Sequence, residues 1–190
     1  MQEEKISEFF QESISVISDS QKLESKIYDA IGIIITCFEN GNKVVTFGNG
    51  GSAADAQHLA AEFVGRYKTD RKSLPAIALT TDTSIITSIG NDYSFDDIFA
   101  RQCDSLVNEN DVVIAISTSG KSQNVINGVI ASKKKGALII ALTGGNGGEL
   151  QNLSDIVLSV PSDSTPRIQE VHRIIMHIFC EFVDEQFKNS

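Results

Sequence analysis

The residues equipped for chemistry fall in a few short stretches. Gly48-Asn49-Gly50-Gly51-Ser52 stands between an apolar run and a helical pattern. Glycines let backbone approach a ligand, and a helix start offers unpaired N–H groups at the positive end of its dipole. Gly48, Gly50 and Ala53 also match a dinucleotide fingerprint in form. No acidic residue closes a strand about 20 residues later, as ribose binding requires. A second loop, Ser117-Thr118-Ser119-Gly120-Lys121-Ser122, ends like a triphosphate-binding motif, but Ala115, where its first glycine belongs, lies within an apolar run. The triphosphate loop therefore does not close. Its cluster of hydroxyls suits a single phosphate monoester. Helix capping by Ser119 or Ser122 is the other reading of those hydroxyls, and the two are compatible. A third loop, Thr143 to Gly148, has similar composition without an acid–base partner and reads as a turn.

Acid–base groups accompany the first two loops. His58 and Glu62 are four apart, hence on one face of the helix that the glycine loop opens. Alanines 53, 54, 56, 60 and 61 around them let that helix pack closely. Gln169, Arg173 and His177 recur every four residues in the last helical segment, while His172 falls on another side. A phosphate cradle, a carboxylate and an imidazole point to proton transfer on a sugar phosphate. Aldose–ketose isomerisation needs a base beside the carbonyl and an acid serving the oxygens. Each such group contributes roughly a hundred- to ten-thousandfold in rate.

The elements that must hold these groups are legible from periodicity. Helices are expected at 3–18 and 21–39, the second ended by Asn40-Gly41-Asn42. Strands at 43–47, 75–79, 111–116, 138–142 and 156–160 alternate with helices at 52–67, 82–88, 95–107, 122–135 and 166–187. Short, almost wholly apolar strands separated by helices indicate a parallel sheet buried on both faces. The fold class is α/β, a three-layer α/β/α sandwich. One domain over 1–190 is expected, with N-terminal helices at 1–40 and an α/β core at 41–190. Two readings stand for the N-terminal helices: packing against another subunit, or covering one face of their own sheet.

A chain of 190 residues buries enough surface to fold without a disulfide or metal staple. With 41% apolar and 22% charged residues it is neither disordered, fibrous nor a membrane bundle. A net charge of −9 argues against nonspecific binding to nucleic acid or anionic membrane. Cys37, Cys103 and Cys180 follow no metal spacing and sit in apolar stretches, as buried free thiols of a reducing cytosol would. The start MQEEKISEFF lacks a secretory apolar run, so a cytoplasmic protein is expected.

At these same residues the chain resembles the sugar isomerase (SIS) family, and within it the bacterial phosphoheptose isomerases. The resemblance rests on FGNGGSAADAQHLAAEFVGRY at 47–67, SIGNDYSFDDIFARQ at 88–102, ISTSGKSQNVINGV at 116–129 and PRIQEVHRIIMHI at 166–178. It implies interconversion of sedoheptulose 7-phosphate and D-glycero-D-manno-heptose 7-phosphate, the first step toward nucleotide-activated heptose for bacterial surface glycans. It implies Glu62 as general base and His177 as general acid, through an enediol-type intermediate. Substrate contacts carry over to Asn49, Gly50, Gly51, Glu62, Asn91, Asp92, Ser117, Thr118, Ser119, Ser122 and Gln169, with Arg66 as an extra cation. One zinc ion per subunit is implied on His58, Glu62, Gln169 and His177. A homotetramer with helical interfaces and active sites shared between subunits is implied too. Pro166 departs from relatives that carry an acidic residue there, although proline suits a helix's first turn. The alternative class is a non-catalytic SIS protein bound to the replication initiator. Those relatives lack the carboxylate that Glu62 supplies.

Overall fold

In the computed structural model, which describes residues 2–188, the glycine and serine loops sit at one end of a five-stranded parallel sheet. The strands are β1 (Val44–Gly48), β2 (Ala76–Ala78), β3 (Val112–Ile116), β4 (Leu138–Gly144) and β5 (Ile156–Val160). The helices are α1 (Gln2–Ser20), α2 (Glu24–Glu39), α3 (Gly51–Val64), α4 (Thr83–Asp92), α5 (Ala100–Leu106), α6 (Gln123–Lys134), α7 (Leu150–Leu153) and α8 (Thr165–Phe187).

Strand order is β2-β1-β3-β4-β5. Registers place Val45 beside Ile77 and Val113, and Val113 beside Ile139. The order reverses between β1 and β3, so the connections leaving those strands diverge to opposite faces and open a crevice at their carboxyl ends. Both candidate phosphate loops leave from there.

Side chains alternate across the sheet. Val44, Val112, Ile114, Ile116, Ile140 and Leu158 pack under α2, α3 and α8. Val45, Val113, Ala115, Ile139 and Val157 pack under α4, α5, α6 and α7. Three layers result, as the patterning predicts.

Of the two readings of the N-terminal helices, covering the sheet holds for α2. α2 buries Ile27, Ala30, Ile31, Ile34, Cys37 and Phe38 against the sheet. α1 instead leaves Ile6, Phe9, Phe10, Ile14 and Ile17 exposed. It is tied back by Arg167 of α8, which donates to Phe9 O at 2.8 Å and to the Ser13 hydroxyl.

The expected helix at 52–67 stops at Val64. The one at 95–107 splits into a 3₁₀ turn at Phe95–Asp97 and α5, and the short α7 has no counterpart in the sequence reading. All three cysteines are free and buried. Desolvation pushes the thiols up, to about 11 for Cys37 and about 12 for Cys103 and Cys180, which keeps them inert. No helix among the described residues is long and apolar enough to cross a membrane.

Candidate active site

The site assembles from three of the long elements. α3 begins at Gly51 after Gly50, which adopts φ +57° as the N-cap and offers no side chain to cap it. α6 begins after Ser122, whose hydroxyl also makes no cap bond. Ser122 Oγ pairs with Ser117 Oγ at 3.2 Å, while Ser119 Oγ accepts the Lys121 N–H at 3.2 Å. Neither serine caps the helix, so capping does not account for the hydroxyls. Two helix starts without side-chain caps flank the crevice, the arrangement that suits an anion.

The two loops are locked to each other. Asn49 and Asn124 exchange amide hydrogen bonds at 2.8 and 2.9 Å. Gly48 packs on β3 so closely that a Cβ there would lie 2.6 Å from Ile116 O. A Cβ on Gly51 would lie 2.6 Å from Gln169 Nε2, so the Gln169 amide rests on the start of α3. Pro166 occupies the first turn of α8, where its missing N–H costs nothing.

Farther along α3, His58 Nε2 and Glu62 Oε1 are 3.0 Å apart. A proton on Nε2 fixes that carboxylate oxygen and leaves the other for a substrate proton. The His177 ring stands edge-on to His58, centroids 5.2 Å apart, and the Tyr67 ring centroid lies 5.8 Å from it. The helical spacing read from the sequence thus brings His58, Glu62 and His177 together on the α3–α8 seam, with Gln169 on the same seam nearer its Gly51 end.

Comparison with known proteins gives the family of the chain. A family model described as SIS domain matches residues 8–144. The phosphoheptose isomerase of Aquifex aeolicus (strain VF5) is 51% identical over 183 residues, 96% of this chain and 96% of the relative. That of Sulfurimonas denitrificans is 49% identical over 170 residues, 90% of this chain and 87% of the relative. In fold, the phosphoheptose isomerase GmhA from Neisseria gonorrhoeae superposes with a TM-score of 0.93 at 42% identity, covering 97% of this chain and 100% of that one. The chain belongs to the phosphoheptose isomerase family of SIS domain proteins.

Against that family frame the remaining site residues divide. Asn91 and Asp92 stand exposed at the end of α4. They bond to each other at 2.8 Å, and no hydrogen bond among the described residues joins them to either loop. Arg66 is exposed beyond α3. Thr118 and Ser119 line a cavity of about 530 Å³ together with Lys121, Asn146, Ser162, Asp163 and Thr165. The third loop therefore is a turn that also walls this cavity, a role its composition did not disclose. Gly120 and Gly147 approach so closely that a Cβ on Gly120 would lie 2.0 Å from Gly147 O.

His172, set apart in the sequence reading, is fully buried, with Nε2 2.9 Å from Thr143 O. Burial pushes its imidazole down to about 4, against the opposing influence of that bond and of Asp55. It is a neutral core histidine.

The donor types at the seam suit zinc: two imidazoles, a carboxylate and an amide. The 3.0 Å between His58 Nε2 and Glu62 Oε1 is close to the roughly 3.3 Å expected between neighbouring ligands of a tetrahedral ion. Among the described residues no three His, Cys, Asp or Glu side chains already form a metal cage. An ion would have to open the His58–Glu62 bond and draw in His177 and Gln169.

Proposed function

We infer that the chain interconverts sedoheptulose 7-phosphate and D-glycero-D-manno-heptose 7-phosphate, with Glu62 as base and His177 as acid. The observation that carries the reading is the seam itself. A carboxylate oriented at 3.0 Å by His58 and an imidazole one ring away lie where α3 meets α8, and α3 and α6 both start without side-chain caps.

The steps balance without an external reagent. The phosphate rests on the 117–122 loop, whose hydroxyls and N–H groups donate to its oxygens. The Glu62 carboxylate takes the C1 proton of the ketose, adjacent to the C2 carbonyl, while His177 donates a proton to O2. The enediol then returns its O1 proton to His177 and receives at C2 the proton held by Glu62. An aldose results, and both side chains regain their starting states.

The same residues support a metal. His58, Glu62, Gln169 and His177 would hold a Zn²⁺ ion, and when bound it would polarise the sugar carbonyl. A homotetramer is the assembly we propose, supported by the apolar face of α1. In such an assembly, Asn91 and Asp92 would serve a shared site. The cytoplasm is the proposed location, and the product would enter nucleotide-activated heptose synthesis.

The test is incubation of purified protein with sedoheptulose 7-phosphate, with and without zinc, following the anomeric protons by NMR. Aldoheptose signals should appear. They should fall by roughly a hundred- to ten-thousandfold in Glu62→Gln and His177→Ala. A folded, zinc-supplied wild type that yields no aldose overturns the reading.

A further inference from the structure

The acid and the base stand on different helices, so their separation depends on how α3 sits against α8. Two ionic contacts bracket the seam. On α3, Asp55 lies two turns before Glu62, and on α8, Asp184 lies two turns after His177. Arg173, one turn before His177, donates to the buried Asp55 through Nη2 at 2.6 Å and Nε at 3.3 Å.

At the other end, Arg71 donates to four acceptors at once, one of them the neighbouring Lys72 O at 2.9 Å. Its Nε donates to Asp184 Oδ1 at 2.9 Å, Nη2 to Glu62 O at 2.8 Å, and Nη1 to Phe63 O at 3.0 Å. The last two are terminal carbonyls of α3, one of them the peptide oxygen of the base itself. This guanidinium satisfies carbonyls that α3 leaves open where it stops short of Tyr67. Asp184 Oδ2 accepts from Lys68 N–H, Thr69 N–H and the Thr69 hydroxyl at 2.7–2.9 Å. Burial by itself would push the Asp184 carboxyl up. The donors of Thr69, Lys68 and Arg71 outweigh that and hold it below the usual carboxylate range, so the contact stays ionic.

We propose that Arg71 and Arg173 are positioning residues for the proton transfer, two guanidinium clamps on Asp184 and Asp55 that set the register of α3 against α8. The contacts run in parallel order along both helices: Asp55 with Arg173, His58 with His177, and the end of α3 with Asp184 through Arg71. Slippage of either helix would change the Glu62–His177 separation. The phosphate loop would keep its place, because it belongs to β3 and α6. An error near 1 Å in such a pair costs up to about a hundredfold in rate. Arg71 serves acceptors in several directions, which an ammonium cannot reproduce. Arg173 serves one carboxylate oxygen, which lysine can reach.

This proposal rests on the isomerase reading, and one experiment separates the two. Wild type, Arg173→Gln, Arg173→Lys and Arg71→Met are assayed as full chains in D₂O with sedoheptulose 7-phosphate. NMR measures both aldose formation and deuterium entering C1 of the ketose. Arg173→Gln should lower kcat by about tenfold or more with KM nearly unchanged, and should raise deuterium entry per aldose formed. Proton removal survives there while the oxygen-side transfer falters. Arg173→Lys should recover most of the loss, and Arg71→Met, where it folds, should shift the same ratio. No conversion by wild type overturns the isomerase reading and the clamp with it. An active wild type, with Arg173→Gln losing activity only in proportion to its folded fraction and keeping the wild-type ratio, overturns the clamp alone. Arg173 is exposed, so its series decides the matter even if Arg71→Met fails to fold.

Discussion

Replacing Gly120 with alanine tests whether the serine loop is both a phosphate cradle and a part fixed by its neighbour. Gly120 has φ +63°, and a Cβ there would meet Gly147 O at 2.0 Å, Gly147 C at 2.5 Å and Gly148 N at 3.0 Å. These are backbone atoms that cannot rotate aside. The left-handed backbone costs an alanine about 1–2 kcal/mol. Bringing that 2.0 Å approach out to the 3.4 Å of an ordinary contact requires the two loops to part by roughly 1.4 Å. That movement strains the two bonds that join the loops, Glu149 N–H to Gly120 O at 3.0 Å and Gly144 N–H to Thr118 O at 2.9 Å. Their loss adds about 1 kcal/mol each. The total is about 3–4 kcal/mol.

Gly41→Ala is the matched control: φ is +76° and nothing lies within 4 Å of its Cβ position, so only the backbone term of about 1–2 kcal/mol applies. Equilibrium urea denaturation measures both. Steady-state assay of the folded fraction should show KM for the sugar phosphate raised about tenfold in Gly120→Ala, the loss of about one hydrogen bond to a charged group. It should leave Gly41→Ala unchanged. Equal destabilisation of the two variants would refute the packing argument, and an unmoved KM in Gly120→Ala would refute the cradle.

Other perturbations probe separate parts. His172 titrates near 4 when folded and near 6.5 when unfolded, so the unfolded chain binds its proton first as pH falls. Stability should decline between pH 6.5 and 4 by up to about 3 kcal/mol on this account. The wild-type deficit relative to His172→Gln should grow over that window, and a constant difference would contradict the assignment. Asn124→Leu removes the amide pair with Asn49 and strands a part-buried amide, at a cost of about 1–3 kcal/mol by denaturation, with activity lost beyond the unfolded fraction. Phe10→Glu, at an α1 residue 66% exposed, should shift the assembly to smaller species in analytical ultracentrifugation. An unchanged sedimentation profile would remove this face from the interface. Titration calorimetry with Zn²⁺ should give one site per subunit, weakened at least about tenfold in His58→Ala and unaltered in Arg66→Ala.

Much of the fold was legible because local pattern and burial go together. Apolar runs of five or so residues between helical periods can only be strands covered on both sides, and their order along the chain demands parallel pairing. The site was legible in part for the same reason. His58 with Glu62, and Gln169 with His177, are spaced so that helix geometry alone puts each pair on one face. The pairing of the N-terminal helices was not. α1 and α2 carry similar apolar stripes, and which one meets the sheet depends on the connection through Gln21–Leu23 and the surface left vacant beside α8.

What the sequence by itself determined was the five strands and the long helices, the loops that open α3 and α6, and the acid–base types on the helices. These depend on interactions within a few residues and on a periodicity that composition records. Only the tertiary structure decided which polar groups meet. Nothing in the spacing of Asp55 and Asp184 singles them out, yet each is buried and paired with an arginine more than a hundred residues away. Asn49 finds Asn124, and Gly120 finds Gly147, for the same reason. Any carboxylate can accept from any guanidinium, and any glycine admits a close backbone. Partner choice at long range is set by strand order and helix placement, which bring the two together only when the chain is folded.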